Sequence, residues 1–176
     1  DDVRAVFEKK AHEEGAKTYE LGKDFTAKGT SHSFDFAYEG QRLENISLAM
    51  AGQHQVANAS LAIMTSLLLQ KDYPEVTPDL IKAALAHASW LGRTEFLMPN
   101  LMIDGAHNNE SVKVLIDLLK SEYADKGIEL LFAAIDTKPI DSMLAQLESV
   151  GDLTVTSFEY PNSVKLDKYP DTYKQV

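Results

Sequence analysis

The strongest constraint in this chain is a change of rhythm at Trp90-Leu91-Gly92-Arg93. Downstream of it, apolar residues switch repeatedly between strand-like and helix-like spacing. Residues 95–98 and 101–104 read as strands around a Pro99-Asn100 turn. Residues 110–123 place Val112, Leu115, Ile116, Leu119 and Tyr123 on one helical stripe. Residues 129–135 form a nearly continuous apolar run, which fits a strand buried on both faces. Residues 141–150 read as a helix and 153–158 as a further strand; beyond Phe158 the pattern weakens. Strands alternating with helices imply a parallel sheet with right-handed crossovers. The expected fold class is α/β.

Upstream of the change the pattern differs. Residues 1–14 read as an amphipathic helix carrying Val3, Val6 and Phe7, with Gly15 as its stop. Residues 18–21 suggest a short strand before a turn at 22–25. Residues 33–38 and 42–48 alternate on either side of Glu39-Gly40, as a hairpin does, with Asn45 as the exception. Residues 55–70 are helical and apolar on nearly all sides, so burial on more than one face is expected. Thr77-Pro78 supplies an N-cap and a first helical residue. The helix over 79–88 should turn Leu80, Ile81, Ala84 and Leu85 inward.

Composition narrows the function. With 44% hydrophobic and 25% charged residues, 176 residues can build a core, as one domain or two small ones. Acidic residues number 27 against 17 basic, a formal charge of −10. That argues against a general nucleic-acid binder, which must replace phosphate counterions. The absence of cysteine excludes disulfides, thiolate zinc sites and cysteine nucleophiles. No stretch approaches the ~18 apolar residues of a membrane-spanning helix, and the acidic start does not resemble a signal peptide. The chain opens without Met and in the manner of a helix, so a piece of a longer chain is expected.

Four segments carry candidate chemistry. In Asp104-Gly105-Ala106-His107-Asn108-Asn109, at a strand-to-helix junction, Asp104 could accept from ribose hydroxyls and the helix start suits an anion. The alternative is an Asn N-cap with His107 on a surface loop. In Gly52-Gln53-His54-Gln55-Val56-Ala57-Asn58, an amide could read an adenine edge, or Gln53 and His54 could cap the helix with Asn58 a satisfied buried amide. In Trp90-Leu91-Gly92-Arg93-Thr94-Glu95, Arg93 could make bidentate contacts to phosphate, or pair with Glu95. In Ile135-Asp136-Thr137-Lys138-Pro139, Lys138 could meet a phosphate or carboxylate, or sit in a solvated turn. The sequence has no P-loop, no G-x-G-x-x-G, no H-E-x-x-H and no G-x-S-x-G.

Three of these segments, in this order and spacing, resemble the folylpolyglutamate synthase/dihydrofolate synthase family of the Mur-type ligases. They are Gly52-x-His54-Gln55-x-x-Asn58-Ala59, Trp90-x-Gly92-Arg93-x-Glu95 and Asp104-Gly105-Ala106-His107-Asn108. The sequence departs from the family at Leu91 and Asn109, where Pro is frequent. It departs again at 137–139, where only Lys138 of an Asp-Lys-Asp pattern survives. The resemblance implies the end of a Mur-ligase central, ATPase-like domain over 1–89. An incomplete Rossmann-like Mur-ligase C-terminal domain would follow over 90–176. It implies ATP-dependent ligation of L-glutamate to folates through an acyl phosphate, with dihydrofolate synthesis as a further activity. Asn58, Arg93 and Asp104 would bind ATP and His107 the incoming glutamate. No residue here stands out as a general base. Magnesium ligands and the phosphate-binding loop are expected upstream, so this piece alone should be inactive. The expected setting is a cytoplasmic monomer with small-molecule substrates, no nucleic acid and no membrane. The alternatives are another Mur-type amino-acid ligase, of peptidoglycan synthesis, and a non-catalytic α/β binding module.

Overall fold

The computed structural model describes residues 2–176. The chain divides into two compact units, Asp1–Ser89 and Trp90–Val176.

In the first unit, helix α1 (Asp2–Glu13) precedes strands β1 (Phe25–Thr30), β2 (Ser33–Tyr38) and β3 (Gln41–Ile46). Helices α2 (Gln53–Leu69) and α3 (Pro78–His87) follow. The strands form one antiparallel sheet in the order β1-β2-β3. The expected hairpin is β2–β3, turned at Glu39 and Gly40, both at positive φ (44° and 82°). That pairing of positive φ values matches the right-handed twist of the flanking strands. Asn45 breaks the alternation because β3 carries a bulge. Phe34 pairs with Ile46 while Phe36 pairs with Leu43, so β3 holds one extra residue. Asn45 takes it up at φ 55°, its N–H donating to Asp35 Oδ1 at 2.9 Å. The bulge lets Leu43 and Ile46, three positions apart, both reach the core.

That core joins Phe25, Phe34 and Phe36 of the sheet to Val56, Ile63, Met64 and Leu67 of α2 and Ile81 of α3. Each such side chain contributes roughly 1.5–3 kcal/mol by leaving water. Several expectations need correction. β1 holds the edge position assigned to no strand, because its sequence has one large apolar residue, Phe25, and an internal Gly29. The strand expected at 18–21 reduces to a bridge between Leu21 and Phe25. α2 buries one side only: Leu61, Leu68 and Leu69 are exposed. In α3 Ile81 is buried, but Leu80 and Ala84 lie outside the buried stripe. The apolar residues Val3, Val6 and Phe7 of α1 are exposed too.

The second unit runs β4 (Glu95–Met98), β5 (Leu101–Ile103), α4 (Asn109–Glu122), β6 (Glu129–Phe132), α5 (Ile140–Leu147) and β7 (Asp152–Val155). A 3-10 turn (Leu166–Lys168) and a short β8 (Lys174–Gln175) close it. β6, β7 and β8 form a parallel sheet in that order. Val112 and Ile116 of α4 and Met143, Leu144 and Leu147 of α5 pack with Phe132 and Val155. Tyr169 sits edge-on to Phe132 and accepts from the Ala134 N–H at 3.2 Å. Burial pushes its phenol above the usual range.

Two expectations fail here as well. β5 does not join the parallel sheet. The Pro99-Asn100 turn pairs it locally and antiparallel with β4, as a separate two-stranded sheet. An open groove of about 870 Å³, lined by residues of both strands including Met102 and Leu130, lies beside β5 and β6. β6 is accordingly not covered on both faces: Phe132 is buried, whereas Leu131 is 68% exposed. Among the described residues no helix is long and apolar enough to cross a membrane.

Candidate functional site

In the second unit the segments around Arg93 and Asp104 are built into one structure. The Arg93 N–H donates to Trp90 O at 3.1 Å and closes a turn in which Gly92 takes φ 70°. Glu95 Oε2 accepts from the Gly92 N–H at 2.7 Å. The Gly105 N–H reaches across to Gly92 O at 2.6 Å. A Cβ on Gly105 would lie 3.2 Å from that same oxygen, so the close crossing favours glycine.

Asp104 ties the two segments together. Its Oδ2 accepts from the Thr94 N–H and its Oδ1 from the Ala106 N–H, each at 2.8 Å. An ionised carboxylate has about four acceptor positions, so two remain. Thr94 is held at φ 44°, a costly conformation for a β-branched residue, and its Oγ1 is buried with no hydrogen-bond partner among the described residues. Nothing in the sequence signals that strain.

Arg93 is exposed and has no ion-pair or hydrogen-bond partner for its guanidinium among the described residues. The Arg93–Glu95 pair is therefore not formed; Glu95 serves the backbone instead. Such a planar fork is free for an oxyanion.

Asn108 is the N-cap of α4. Its Oδ1 accepts from the Ser111 N–H at 2.8 Å, and Ser111 Oγ accepts in return from the Asn108 N–H at 3.1 Å. Ser111 Oγ also accepts from the His107 N–H at 3.0 Å. The Asn N-cap weighed from the sequence is formed, and Ser111 makes it reciprocal. His107 is exposed, and its Nδ1 lies 2.8 Å from Gly105 O. A carbonyl only accepts, so Nδ1 carries the proton and Nε2 is left for a ligand.

Asn58 lies in the first unit, on α2. Its Nδ2 donates to Gln55 Oε1 at 3.2 Å, and the residue is exposed, not a buried amide. No side chain caps α2. Gln53 instead donates from Nε2 to Gly29 O at 3.2 Å, and the Gly52 N–H donates to Ser31 Oγ at 3.2 Å.

Lys138 sits in the turn after β6. It lines an open pocket of about 670 Å³ together with Lys165 and Lys168, which sequence reading left unassigned because they lie far along the chain. Among the described residues no group of three or more His, Asp or Glu side chains is placed to hold a metal ion.

No protein-family model matches the chain. It is 31% identical over 134 residues to the dihydrofolate synthase/folylpolyglutamate synthase of Bacillus subtilis, covering 74% of this chain and 31% of that protein. UDP-N-acetylmuramate–L-alanine ligases match less of it; that of Hydrogenobaculum is 32% identical over 56% of the chain. In structure it resembles Mycobacterium tuberculosis folylpolyglutamate synthase complexed with ADP. The TM-score is 0.86 and the identity 22%, over 99% of this chain and 42% of that one. It also resembles Escherichia coli FolC in complex with DHPP and ADP, with TM-score 0.79 and 25% identity over 93% of this chain and 39% of that one. The chain spans about a third of the length of the Bacillus relative. Its mixed α/β fold is that of these synthases, and the chain belongs to the folylpolyglutamate synthase/dihydrofolate synthase family.

Proposed function

We propose that this chain is part of an enzyme that uses ATP to join L-glutamate to folates, with dihydrofolate synthesis as a second activity. The observation that carries the reading is the Asp104-centred loop pair. There Asp104, with spare acceptor positions, holds the backbone of Thr94, and the guanidinium of the preceding Arg93 has no partner among the described residues. In this reading the first unit is the end of a Mur-ligase central domain and the second a Mur-ligase C-terminal domain.

ATP phosphorylates a carboxylate on the folate's glutamate tail and yields an acyl phosphate. The amine of L-glutamate attacks, and the tetrahedral intermediate expels phosphate. Arg93 offsets phosphate charge through its fork, the kind of preorganised electrostatics that lowers such barriers. Asp104 holds nucleotide hydroxyls with its two unused acceptor positions. Asn58 presents its amide to the adenine. His107 turns Nε2 to the incoming glutamate, accepting from its ammonium group when neutral. Magnesium belongs to this chemistry, but the described residues offer no ligand cluster for it, so no step is assigned to it here. The enzyme would act as a cytoplasmic monomer on small molecules and not on nucleic acid.

The test uses the full-length protein. ADP release that depends on both folate and L-glutamate is expected. Release only with a muramyl acceptor would assign the protein to the peptidoglycan ligases. No coupled release with either acceptor would leave a binding module.

A further inference from the structure

Two departures from the family pattern fall at helix starts. Asn109, where Pro is frequent, is the first residue of α4, and Pro139, where the pattern has Asp, stands at the N-cap of α5. Pro139 has no side-chain acceptor, and no side chain caps α5. Asn109 bonds to that helix from outside. Its Oδ1 accepts from Ser142 Oγ and from Gln146 Nε2, the latter at 3.2 Å. Ser142 and Gln146 are four residues apart, so they lie on one face of α5, one turn above the other. A single amide oxygen therefore ties the first two turns of α5 to the start of α4. A proline at this position has no such oxygen.

The tie joins parts that the sheets do not. β5 leads into α4 and β6 into α5, but the two strands belong to separate sheets and share no ladder. Between the helices, Val112 and Ile116 pack with Met143 and Leu144 in one apolar core. Apolar burial is non-directional, whereas hydrogen bonds fix a register. His107 depends on that register. It stands two residues before Asn109, and its N–H donates to Ser111 Oγ, in the first turn of α4, at 3.0 Å. With Nδ1 engaged by Gly105 O, the direction of Nε2 follows that turn.

We propose that Asn109 is a positioning residue: through Ser142 and Gln146 it sets where α4 presents His107. That His107 meets L-glutamate rests on the function proposed above. Asn109→Pro removes the oxygen and little else. Proline is favoured at a first helical position, whose N–H has no partner inside the helix. Asn108, at φ −149° and ψ 169°, already has the extended backbone that precedes proline. The full-length protein is compared with Asn109→Pro, Asn109→Asp and Ser142→Ala/Gln146→Ala. An exposed neutral hydrogen bond is worth about two- to threefold, and a tie favours one placement by no more than its own worth. Asn109→Pro should therefore raise KM for L-glutamate about four- to ninefold at unchanged KM for ATP. Amide exchange at His107 should quicken by a similar factor. Ser142→Ala/Gln146→Ala should do the same and, combined with Asn109→Pro, add nothing, since both remove one tie. Asn109→Asp keeps the acceptor and should keep the wild-type KM. An unchanged KM for L-glutamate in Asn109→Pro overturns the proposal, as do additive effects or an Asn109→Asp variant as impaired as Asn109→Pro. The two readings fail separately. Wild type without glutamate-dependent turnover rejects the reaction alone; exchange at His107 then decides, and equal rates in wild type and Asn109→Pro overturn the positioning role.

Discussion

Replacing Asp104 should cost stability before any ligand is present. Its carboxylate accepts two backbone N–H bonds, from Thr94 and Ala106, each 2.8 Å long and partly buried. A hydrogen bond to a charged group contributes about 1.5–3 kcal/mol, with partial exposure favouring the lower figure. Asp104→Ala removes both and leaves two donors without a protein acceptor, so a loss of about 2–4 kcal/mol is expected. Asp104→Asn keeps one acceptor oxygen and should lose about half as much. Urea denaturation measures the difference from the midpoint shift at unchanged slope. Amide hydrogen exchange at Thr94 and Ala106 reports the two bonds directly, and both amides should lose protection in the alanine variant. A shift below about 0.5 kcal/mol, the scatter of an ordinary surface substitution, with both amides still protected, would refute the idea that Asp104 builds the loop pair.

Three further outcomes follow from neighbouring groups. Arg93→Ala should leave stability within about 0.5 kcal/mol, since the guanidinium has no partner among the described residues, while nucleotide affinity measured by calorimetry falls; a large loss of stability would reveal a structural ion pair instead. Thr94→Val removes the buried unpaired hydroxyl while keeping the branched shape. Relief of that desolvation should raise stability by about 1 kcal/mol, and a destabilised variant in thermal unfolding would show that Oγ1 has a partner. Tyr173 donates to Glu148 Oε1 at 2.6 Å, and that bond, with some burial, pushes its phenol up to about 12. A raised folded-state value means the contribution is complete below the ordinary tyrosine value of about 10 and is lost as pH rises through the folded one. The stability gap between wild type and Tyr173→Phe should therefore be flat up to pH ~10 and shrink by pH ~12. A gap that opens on the acid side would count against the assignment.

How legible the fold was depended on the range of the interaction. The β2–β3 hairpin, α4 with its Asn N-cap and the α5–β7 succession are set by residues close in sequence, and local pattern shows them. β1 escaped because its pairing with β2 depends on Phe25 meeting Tyr38 across the sheet, not on alternation of its own. The isolation of β5 escaped for the opposite reason: local pairing through Pro99-Asn100 prevailed over the parallel ladder that alternation implies. At the site, the residue types were readable but not their division of labour. The sequence offers Glu95 to Arg93 as a salt bridge, while the folded chain gives Glu95 to the Gly92 N–H. The strain at Thr94 depends on a crossing between residues ten apart and left no mark in composition.

That division of labour also decides how the site residues should be separated by experiment. Asp104 spends one acceptor position on the Thr94 N–H, next to Arg93, and one on the Ala106 N–H of its own loop, so an Asp104 variant disturbs loop and ligand together. Lost nucleotide affinity there cannot by itself identify a ligand contact. Arg93 has no such second task. A double-mutant cycle resolves the two. If Asp104 acts only by shaping the Thr94 turn, then Arg93→Ala should cost little nucleotide affinity in an Asp104→Asn background, because the fork is already misplaced. If Asp104 instead holds the nucleotide through its two unused positions and leaves the placement of Arg93 unaffected, the two losses should add to within about 0.5 kcal/mol. A coupling of the first kind would remove Asp104 from the ligand-binding set and leave it as the residue that positions Arg93.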